Sequence, residues 1–335
     1  MLAPLLPEHI LRERYKIYQV VGRGGMGCVY QAEDLRLDGR LCAIKEIQPD
    51  LAADEETQRQ THEQFHREAS VLARLDHPNL PKVSDFFSEA GRDFLLMDYV
   101  PGHNLKEIMD ASRREGLKLP EERVLEWADQ LCNALAYLHR QNPLVLHRDI
   151  KPGNIKLTPG GLLKLVDFGL VKLLAPDETR TVTVLQGRGT ALYTPLEQYG
   201  GDTGHTDVRS DIYSLGATLY HLLTNEPPPE AKQRFLKPGS LRSVSSIRPG
   251  TGRRTARAIE WALALHPDER PSNITEFRQA LLGKDSFPAK RPLVQEAPKS
   301  WREALNDNRW LAAAAALLLL IALLATQLSP LAPAL

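Results

Sequence analysis

The spacing of apolar positions divides the 335-residue chain into short strand-like segments followed by longer helix-like ones. Residues 15–48 carry short apolar runs broken by glycine and polar residues, a pattern that predicts β-strands. Residues 57–75 instead repeat apolar side chains at spacings of three and four, which predicts a helix. The same periodicity predicts a second amphipathic helix over 121–141. Its apolar face consists of Val124, Ala128, Leu131, Leu135 and Leu138.

Three further segments between and after these helices have strand character. The apolar run 94–100 ends at Pro101 and Gly102, which predicts a strand followed by a turn. Residues 154–157 and 162–166 flank Pro159-Gly160-Gly161 and predict a hairpin. The segment 147–154 between the second helix and this hairpin contains Pro152 and Gly153, so we predict a shaped loop held between short apolar strands.

The last apolar segment differs from all the others, because Leu311 to Ala325 contains no polar residue. With Trp310 and the residues up to Leu328 it reaches about the length that crosses a bilayer. A core helix and a partner-binding helix are the alternatives. We expect a membrane span over 310–328, since an all-round apolar helix after a polar linker has no core left to join.

Composition narrows the possible classes of protein. Lys plus Arg equals Asp plus Glu, with 42 residues each, so net charge gives no support for nucleic-acid binding. Only three cysteines occur, namely Cys28, Cys42 and Cys132, and their spacing fits neither a disulfide framework nor a zinc site. These features favour a protein of the reducing cytosol.

The loop at 147–154 carries the clearest chemistry, in the order H-R-D-x-x-x-x-N. This spacing suits phosphoryl transfer, in which the carboxylate of Asp149 accepts a hydroxyl proton and the amide oxygen of Asn154 holds a metal ion. A polar surface turn is the alternative for so short a match. The interpretation therefore depends on partner residues elsewhere.

A glycine-rich segment provides one such partner. Residues 22–29 follow G-x-G-x-x-G-x-V, and glycines let a backbone approach phosphates closely. A dinucleotide-binding turn would need a helix directly after the glycines. The strand-like residues Cys28-Val29-Tyr30 instead favour a hairpin that covers phosphates, with a plain glycine-rich hairpin as the alternative.

A lysine and two carboxylates complete the predicted set. Glu68 lies within the apolar face of the first helix, and a buried carboxylate needs a cation, for which Lys45 on the neighbouring strand is the natural candidate. Such a pair would direct Lys45 toward the phosphates of ATP. Asp167, in Asp167-Phe168-Gly169, would bring a second oxygen ligand beside Asn154, and this pair suits Mg²⁺.

Taken together, these motifs are similar to those of the bacterial members of the eukaryotic-like Ser/Thr protein kinases. The resemblance covers about residues 15–283 and includes Gly189-Thr190, Asp211 and Arg270 in the family's order. It implies an α+β, bilobal protein kinase fold with a small antiparallel sheet and one main helix, then a mainly helical lobe. It also implies ATP and Mg²⁺, with Mn²⁺ as an alternative ion, and protein substrates with Ser or Thr.

The resemblance assigns roles residue by residue. Asp149 would be the base, and Lys151 would stabilise the transferred phosphoryl group. The other implied catalytic residues are Thr190, Lys45 and Glu68. Asn154 and Asp167 would hold the metal. The backbone near Asp98 and Val100, in the hinge between the lobes, would bind adenine. The remaining nucleotide contacts implied are Val21, Gly22, Gly24, Gly27, Val29, Ala43, Lys45, Met97 and Lys156.

Two positions depart from the family pattern. Pro195-Leu196-Glu197 replaces the usual Ala-Pro-Glu, although Glu197 could still form a buried ion pair with Arg270. Lys156 occupies a position that is usually apolar under the adenine, where its methylene stem could cover the ring.

Regulation and location complete the expectations. Thr179, Thr181 and Thr183 lie in a polar segment that is either a solvated loop or an activation loop, and Arg148 could pair with a phosphate on Thr181 or Thr183. We expect autophosphorylation there, with a homodimer as one arrangement for it. Basic residues before position 310 predict a single-pass membrane protein with a cytoplasmic kinase domain.

The predicted division of the chain has six parts. They are an N-terminal extension (1–14), two lobes (15–99 and 100–283), a linker (284–309), the span (310–328) and a tail (329–335) too short for an extracellular sensor. A pseudokinase scaffold and a small-molecule kinase are the competing functions. The intact residues Lys45, Asp149, Asn154 and Asp167 argue against the scaffold, and the segment from Gly189 to Glu197 with Arg270 argues against the small-molecule kinase.

Overall fold

The computed structural model describes residues 3–24, 27–48, 52–167, 190–199 and 206–283. Its strands are β1 (Ile10–Leu11), β2 (Tyr15–Gly24), β3 (Gly27–Asp34), β4 (Leu41–Ile47), β5 (Val83–Glu89), β6 (Arg92–Asp98), β7 (His103–Asn104), β8 (Ile155–Leu157) and β9 (Leu163–Leu165). Its helices are α1 (Glu55–Leu72), α2 (Leu105–Arg114), α3 (Glu121–Leu138), α4 (Val208–Thr224), α5 (Ala231–Leu236), α6 (Val244–Ile247), α7 (Arg253–Ala262) and α8 (Ile274–Leu282).

Six antiparallel strands form the sheet of the first lobe, in the order β1-β2-β3-β4-β6-β5. Alternation along the strands separates two faces. On one face, Cys28, Tyr30 and Ile44 are buried in a cluster that the strands build among themselves. Val29 and Lys45, which are cross-strand partners, are only partly buried on the opposite face. The predicted bilobal antiparallel architecture is thus confirmed for this half.

Residues before position 15, predicted as an extension, contribute to this sheet. Strand β1 pairs with β2, and the backbone amide of Leu5 donates a hydrogen bond of 3.0 Å to the hydroxyl of Tyr30. The segment therefore covers one end of the buried face of the sheet.

Helix α1 begins where Asp54 accepts a hydrogen bond from the amide of Thr57, at 2.7 Å, and Glu55 and Glu56 follow in the first turn. Side-chain capping and acidic residues in the first turn both stabilise a helix N-terminus. The predicted apolar face is confirmed, because Phe65, Ala69 and Leu72 are all buried.

The second lobe is organised around α4, whose residues from Ser210 to Thr224 are all buried. Gly216 permits the close approach of α7, since a Cβ at this position would lie 2.7 Å from the Cβ of Ala262. Helix α3 packs nearby with its predicted apolar face buried. The hairpin β8–β9 is also confirmed, whereas the residues that lead into the loop, including the buried Val145, do not form a strand.

A buried ion pair joins the end of the 190–199 segment to this helical core. Arg270 donates to Glu197 at 2.6 and 2.9 Å, and the two side chains are 0% and 7% exposed. Burial works against ionisation of Glu197, yet Arg270 outweighs it and the pKa of Glu197 lies below its ordinary value. The predicted pair of Glu197 with Arg270 is therefore confirmed despite the altered residues before Glu197.

No helix within the described ranges is both long and apolar enough to cross a membrane. The span predicted over 310–328, with its linker and tail, lies outside the described residues and stays a prediction.

We predict that Arg270→Leu lowers the free energy of unfolding by about 3–5 kcal/mol, because it leaves the carboxylate of Glu197 buried without its cation. Arg278→Leu is the matched control, since the exposed pair of Arg278 with Asp129 contributes only about 0–1 kcal/mol. Urea unfolding followed by circular dichroism measures both changes. Equal losses in the two variants would contradict the structural role of the buried pair.

Candidate active site

One buried carboxylate on α4 holds the backbone of the loop over 147–154 in place. The amides of His147 and Arg148 donate to the two oxygens of Asp211, at 2.9 and 2.8 Å. Arg148 adopts a left-handed conformation with φ of +61°, which turns the chain sharply directly after these two bonds. Pro152–Asn154 then form a single 3₁₀ turn. The segment is thus a shaped loop without a regular α-helix, as predicted.

Asp211 is fully buried, and three groups compensate its charge. Besides the two amides, the Nε2 atom of His139 lies 2.9 Å from Oδ2. Burial raises the pKa of a carboxyl, but these hydrogen bonds and the field of His139 outweigh it, so the pKa of Asp211 is lowered. His147 is equally buried, and desolvation lowers its pKa. Asp211 thus stays charged while it holds the loop.

Asp149 lies at the centre of a polar cluster built from this loop. Lys151 places its ammonium 3.1 and 2.9 Å from the two carboxylate oxygens. The same ammonium donates to Oγ1 of Thr190, at 2.9 Å. Asn154 donates from Nδ2 to the carbonyl and to the carboxylate of Asp149, at 2.9 and 2.8 Å. The loop therefore brings together four of the predicted site residues.

The amide orientation of Asn154 fits a metal ligand. Both hydrogen bonds donated by its Nδ2 atom go to Asp149, so Oδ1 is left to accept or to bind a metal ion. The amide of Val166 donates to the backbone carbonyl of Asn154 at 2.8 Å, and this bond brings the residue after Val166 next to the loop. That residue, Asp167, has φ of +65°. Two side chains with hard oxygen donors thus lie on adjoining segments, as expected for residues that could hold a divalent metal ion.

Lys45 reaches the same place from the sheet of the first lobe, and its ammonium forms an ion pair with Oδ1 of Asp167. The two side chains are 16% and 40% exposed, so the pair faces the space between the lobes. Burial opposes ionisation of Asp167, but the charge of Lys45 outweighs it and the pKa of Asp167 is lowered. Residues 122 positions apart therefore meet at one point.

Glu68 is buried on α1, as predicted for a residue of the apolar face, and accepts a hydrogen bond of 2.9 Å from Gln64. The salt bridge of Lys45 in this structure is with Asp167. The predicted pairing of Lys45 with Glu68 stays a prediction.

The glycine-rich segment is the β2–β3 hairpin, and β3 continues directly from it without a helix. Gly27 has φ of +146°, and a Cβ here would lie 2.1 Å from the carbonyl oxygen of Glu46. Only glycine fits this position, which lets the hairpin close over the sheet. Gly22 and Gly24 belong to the same hairpin, in agreement with a phosphate-covering loop.

The predicted nucleotide wall is a strip of the sheet beside this hairpin. Ala43 pairs with Met97 in the ladder between β4 and β6, and Val29 pairs with Lys45. Val21, by contrast, is 47% exposed on the outer part of β2. Beyond β6, Val100 is buried.

Lys156 on β8 contacts the ring of Tyr99 in the hinge. Its ammonium lies 5.5 Å from the centre of the Tyr99 ring, a cation–π distance. Burial lowers the pKa of Lys156. The backbone amide of Asp98, predicted as an adenine contact, donates to the carbonyl of Lys82 at 3.0 Å. Which backbone groups would face an adenine stays a prediction.

Two features were missed at the sequence level. His139 and the amides of the loop that converge on Asp211 come from distant parts of the chain, so no spacing indicates them. The Tyr99 contact to Lys156 was not foreseen either, although both residues flank predicted adenine contacts. Thr179, Thr181 and Thr183 lie outside the described residues.

Comparison with known proteins agrees with this geometry. A family model described as the protein kinase domain matches residues 15–300. Serine/threonine-protein kinase PknB of Mycobacterium tuberculosis is 37% identical over 226 residues, which cover 66% of this chain and 34% of PknB. A probable serine/threonine-protein kinase of Streptomyces coelicolor is 40% identical over 222 residues, covering 64% and 31%. The chain spans about a third of the length of these curated relatives.

Solved structures show the same similarity. The apo form of PpkA-294 superimposes with a TM-score of 0.66 at 28% identity, and covers 83% of this chain and 99% of its own. The kinase domain of PknI from Mycobacterium tuberculosis superimposes with a TM-score of 0.61 at 29% identity, covering 83% and 98%.

We predict that Asp211→Asn lowers the free energy of unfolding at neutral pH by about 1–3 kcal/mol, because an amide can accept from only one of the two loop amides. The lowered pKa of Asp211 means that the carboxylate stabilises the fold above its unfolded pKa. This contribution is lost as the pH falls through the folded pKa. The gap between wild type and variant should therefore shrink below about pH 4.

Chemical unfolding at a series of pH values measures this gap. Asp129→Asn, at an exposed pair, is the control and should change stability by less than about 1 kcal/mol at every pH. A gap for Asp211→Asn that stays constant down to acidic pH would contradict the role of its charge.

Proposed function

Because the chain belongs to the protein kinase family, we propose that it transfers the γ-phosphoryl group of ATP to Ser or Thr hydroxyls of proteins. The observation that carries this proposal is the convergence of Asp149, Lys151, Asn154 and Thr190 within hydrogen-bonding distance, next to the Lys45–Asp167 pair. These are the parts that phosphoryl transfer needs, since its catalysis depends on positioning and charge stabilisation.

Each side chain has a defined task in this reaction. Asp149 accepts the proton of the substrate hydroxyl as the oxygen attacks phosphorus, because its carboxylate is held in place by Lys151 and Asn154. Lys151, already between Asp149 and Thr190, is positioned to neutralise negative charge on the transferred group.

Asn154 and Asp167 would hold a divalent metal ion, for which we propose Mg²⁺, with Mn²⁺ as the alternative. The ion would supply charge neutralisation on the β- and γ-phosphates. The Lys45–Asp167 pair implies an exchange of partners on binding, since the ammonium would then face phosphate and the carboxylate the metal. The glycine hairpin would cover the phosphates from above.

The choice of Ser or Thr substrates rests on Lys151 and its bond to Thr190, which resemble the arrangement of Ser/Thr kinases. The Glu197–Arg270 pair supports a platform for a protein substrate and disfavours a small-molecule kinase. A pseudokinase scaffold is disfavoured because every predicted catalytic side chain is present and those of the loop are already ordered together.

We further propose activation by autophosphorylation on Thr181 or Thr183. The support comes from Arg148, whose Nε atom is buried with no hydrogen-bond partner among the described residues. Burial lowers the pKa of this guanidinium, so an approaching phosphate would offset its desolvation.

We predict that Asp149→Asn lowers the rate of phosphoryl transfer by at least about 10²-fold, because an amide cannot accept the proton. Purified protein is incubated with labelled ATP and a generic basic protein, and labelled phosphoserine and phosphothreonine are quantified. Asp129→Asn is the control, since Asp129 forms its exposed ion pair with Arg278 of α8 and not with any residue of the catalytic cluster. Equal labelling by wild type and Asp149→Asn would exclude the catalytic role.

Membrane attachment through residues 310–328, with the kinase domain in the cytoplasm, is a separate proposal. It is supported by the apolar run Leu311 to Ala325 and by the basic residues Lys290, Arg291, Lys299, Arg302 and Arg309 before it.

We predict that the full chain sediments with membranes after cell lysis and is released only by detergent, because the apolar segment is more stable in lipid than in water. A variant that ends at Arg309 is the control and should stay in the supernatant. Immunoblots of both fractions measure the distribution. Recovery of the full chain in the supernatant without detergent would contradict the span.

A further inference from the structure

Two histidines and one aspartate form a cluster where α1 packs against β6. His62 and His66 are one helical turn apart on α1, and Asp93 lies on β6. One ligand atom from each of the three residues lies within 4.8 Å of the other two. Neither the resemblance to protein kinases nor the proposed reaction uses any of them.

The side chains of the cluster are already oriented toward one another. Nδ1 of His62 lies 3.0 and 3.2 Å from the two oxygens of Asp93. Ser88, the cross-strand partner of Asp93, donates from Oγ to Oδ1 of Asp93 at 2.5 Å. Its Oγ also lies 3.3 Å from Nε2 of His66. Ser88 therefore ties the carboxylate to the second histidine.

Packing restricts the ring of His66. It contacts the ring of Phe86 edge-on, at a centroid distance of 5.5 Å, and the ring of Phe65 at 5.4 Å. His62 is more exposed, with 48% of its side chain accessible, and can rotate. The cluster thus combines two side chains in constrained positions, His66 and Asp93, with one adjustable ligand.

From this arrangement we propose that His62, His66 and Asp93 form a binding site for a divalent transition metal ion of the Zn²⁺ class. Two imidazole nitrogens and one carboxylate oxygen are a donor set that zinc takes in three-ligand sites, with a fourth position open to water. Histidines at i and i+4 present both rings on one side of a helix, as in other zinc-binding helices. Imidazole ligands select against Mg²⁺ and Ca²⁺, which prefer all-oxygen sites.

The distances are compatible with such a site. Zinc bonds of about 2.0–2.2 Å in a tetrahedron separate neighbouring ligand atoms by about 3.3 Å. Ligand atoms that now lie within 4.8 Å of one another need only a small movement, which rotation of His62 can supply. The hydrogen bond from Ser88 to Asp93 would orient the ligating carboxylate.

A bound ion would connect two elements that are distant in the chain. Because His62 and His66 come from α1 and Asp93 from β6, the ion would fasten the helix to the sheet. Glu68 lies two residues after His66 on the same helix. Metal binding would therefore restrain the helix that carries Glu68. The metal site stands independently of the proposed kinase reaction.

The test is a titration of the purified full chain with Zn²⁺ against a chromophoric chelator, without ATP or Mg²⁺. We expect one Zn²⁺ per chain for the wild type. His62→Ala, His66→Ala and Asp93→Asn should each weaken binding by at least about tenfold, since loss of a ligand costs no less than loss of its supporting hydrogen bond. Circular dichroism checks that each variant is folded, and His62→Gln replaces any His62→Ala protein that is not.

His103→Ala is the matched control. The Nδ1 atom of His103 lies 3.3 Å from Glu107, four residues further along α2, but no third ligand joins this pair among the described residues. This variant should bind Zn²⁺ as the wild type does. Equal affinity in all variants, or no binding by the wild type, would overturn the proposal.

Hydrogen exchange gives a second readout that does not depend on affinity. Zn²⁺ should slow exchange of the α1 amides in the wild type and leave them unchanged in His66→Ala. Slowing of equal size in both proteins would show that the ion binds elsewhere. Kinase activity enters neither measurement, so failure of this site and failure of the proposed reaction are distinguishable.

Discussion

The structure depends on one buried charge, the carboxylate of Asp211 in the first turn of α4. A carboxylate without solvent is tolerated only when hydrogen bonds and nearby positive charge replace its hydration. Here the amides of His147 and Arg148 and the Nε2 atom of His139 lie within hydrogen-bonding distance of the two carboxylate oxygens. Leaving Asp211 unpaired would cost free energy. The loop is therefore stabilised in the one backbone conformation that keeps both amides bonded to this carboxylate.

The polar cluster above the loop follows from that constraint. Because Asp211 binds two amides of the loop, the loop backbone is fixed just before Asp149. Lys151 and Asn154 can then both hydrogen-bond to the carboxylate of Asp149. Val166 bonds to the backbone of Asn154, so Asp167 is placed relative to the loop and not independently of it. One buried interaction therefore positions the proposed base, its neighbouring cation and the two proposed metal ligands together.

The other half of the site comes from the sheet of the first lobe. The sheet buries one face of alternating residues in its own cluster, which leaves Lys45 on the opposite face. Its ion pair with Asp167 is the contact that joins the sheet to the catalytic loop region. The proposed metal cluster of His62, His66 and Asp93 would act on the same sheet through α1, the helix that also carries Glu68. The position of that helix is thus the link between the two proposals.

Much of this arrangement could be predicted from the sequence, because the spacing of apolar residues and turn residues reflects the local secondary structure. Periodicity predicted α1 and α3, the turn residues between two short apolar runs predicted the hairpin β8–β9, and motif spacing predicted the grouping of Asp149 with Asn154. The resemblance to protein kinases implied the pair of Glu197 with Arg270. The partners of Asp211, the contact of Lys156 with Tyr99 and the approach of Asp93 to His62 and His66 were decided only by the tertiary structure. Each of these contacts joins residues from different elements. The packing of helices and strands brings such residues together, and the spacing of residues along the chain does not reveal that packing.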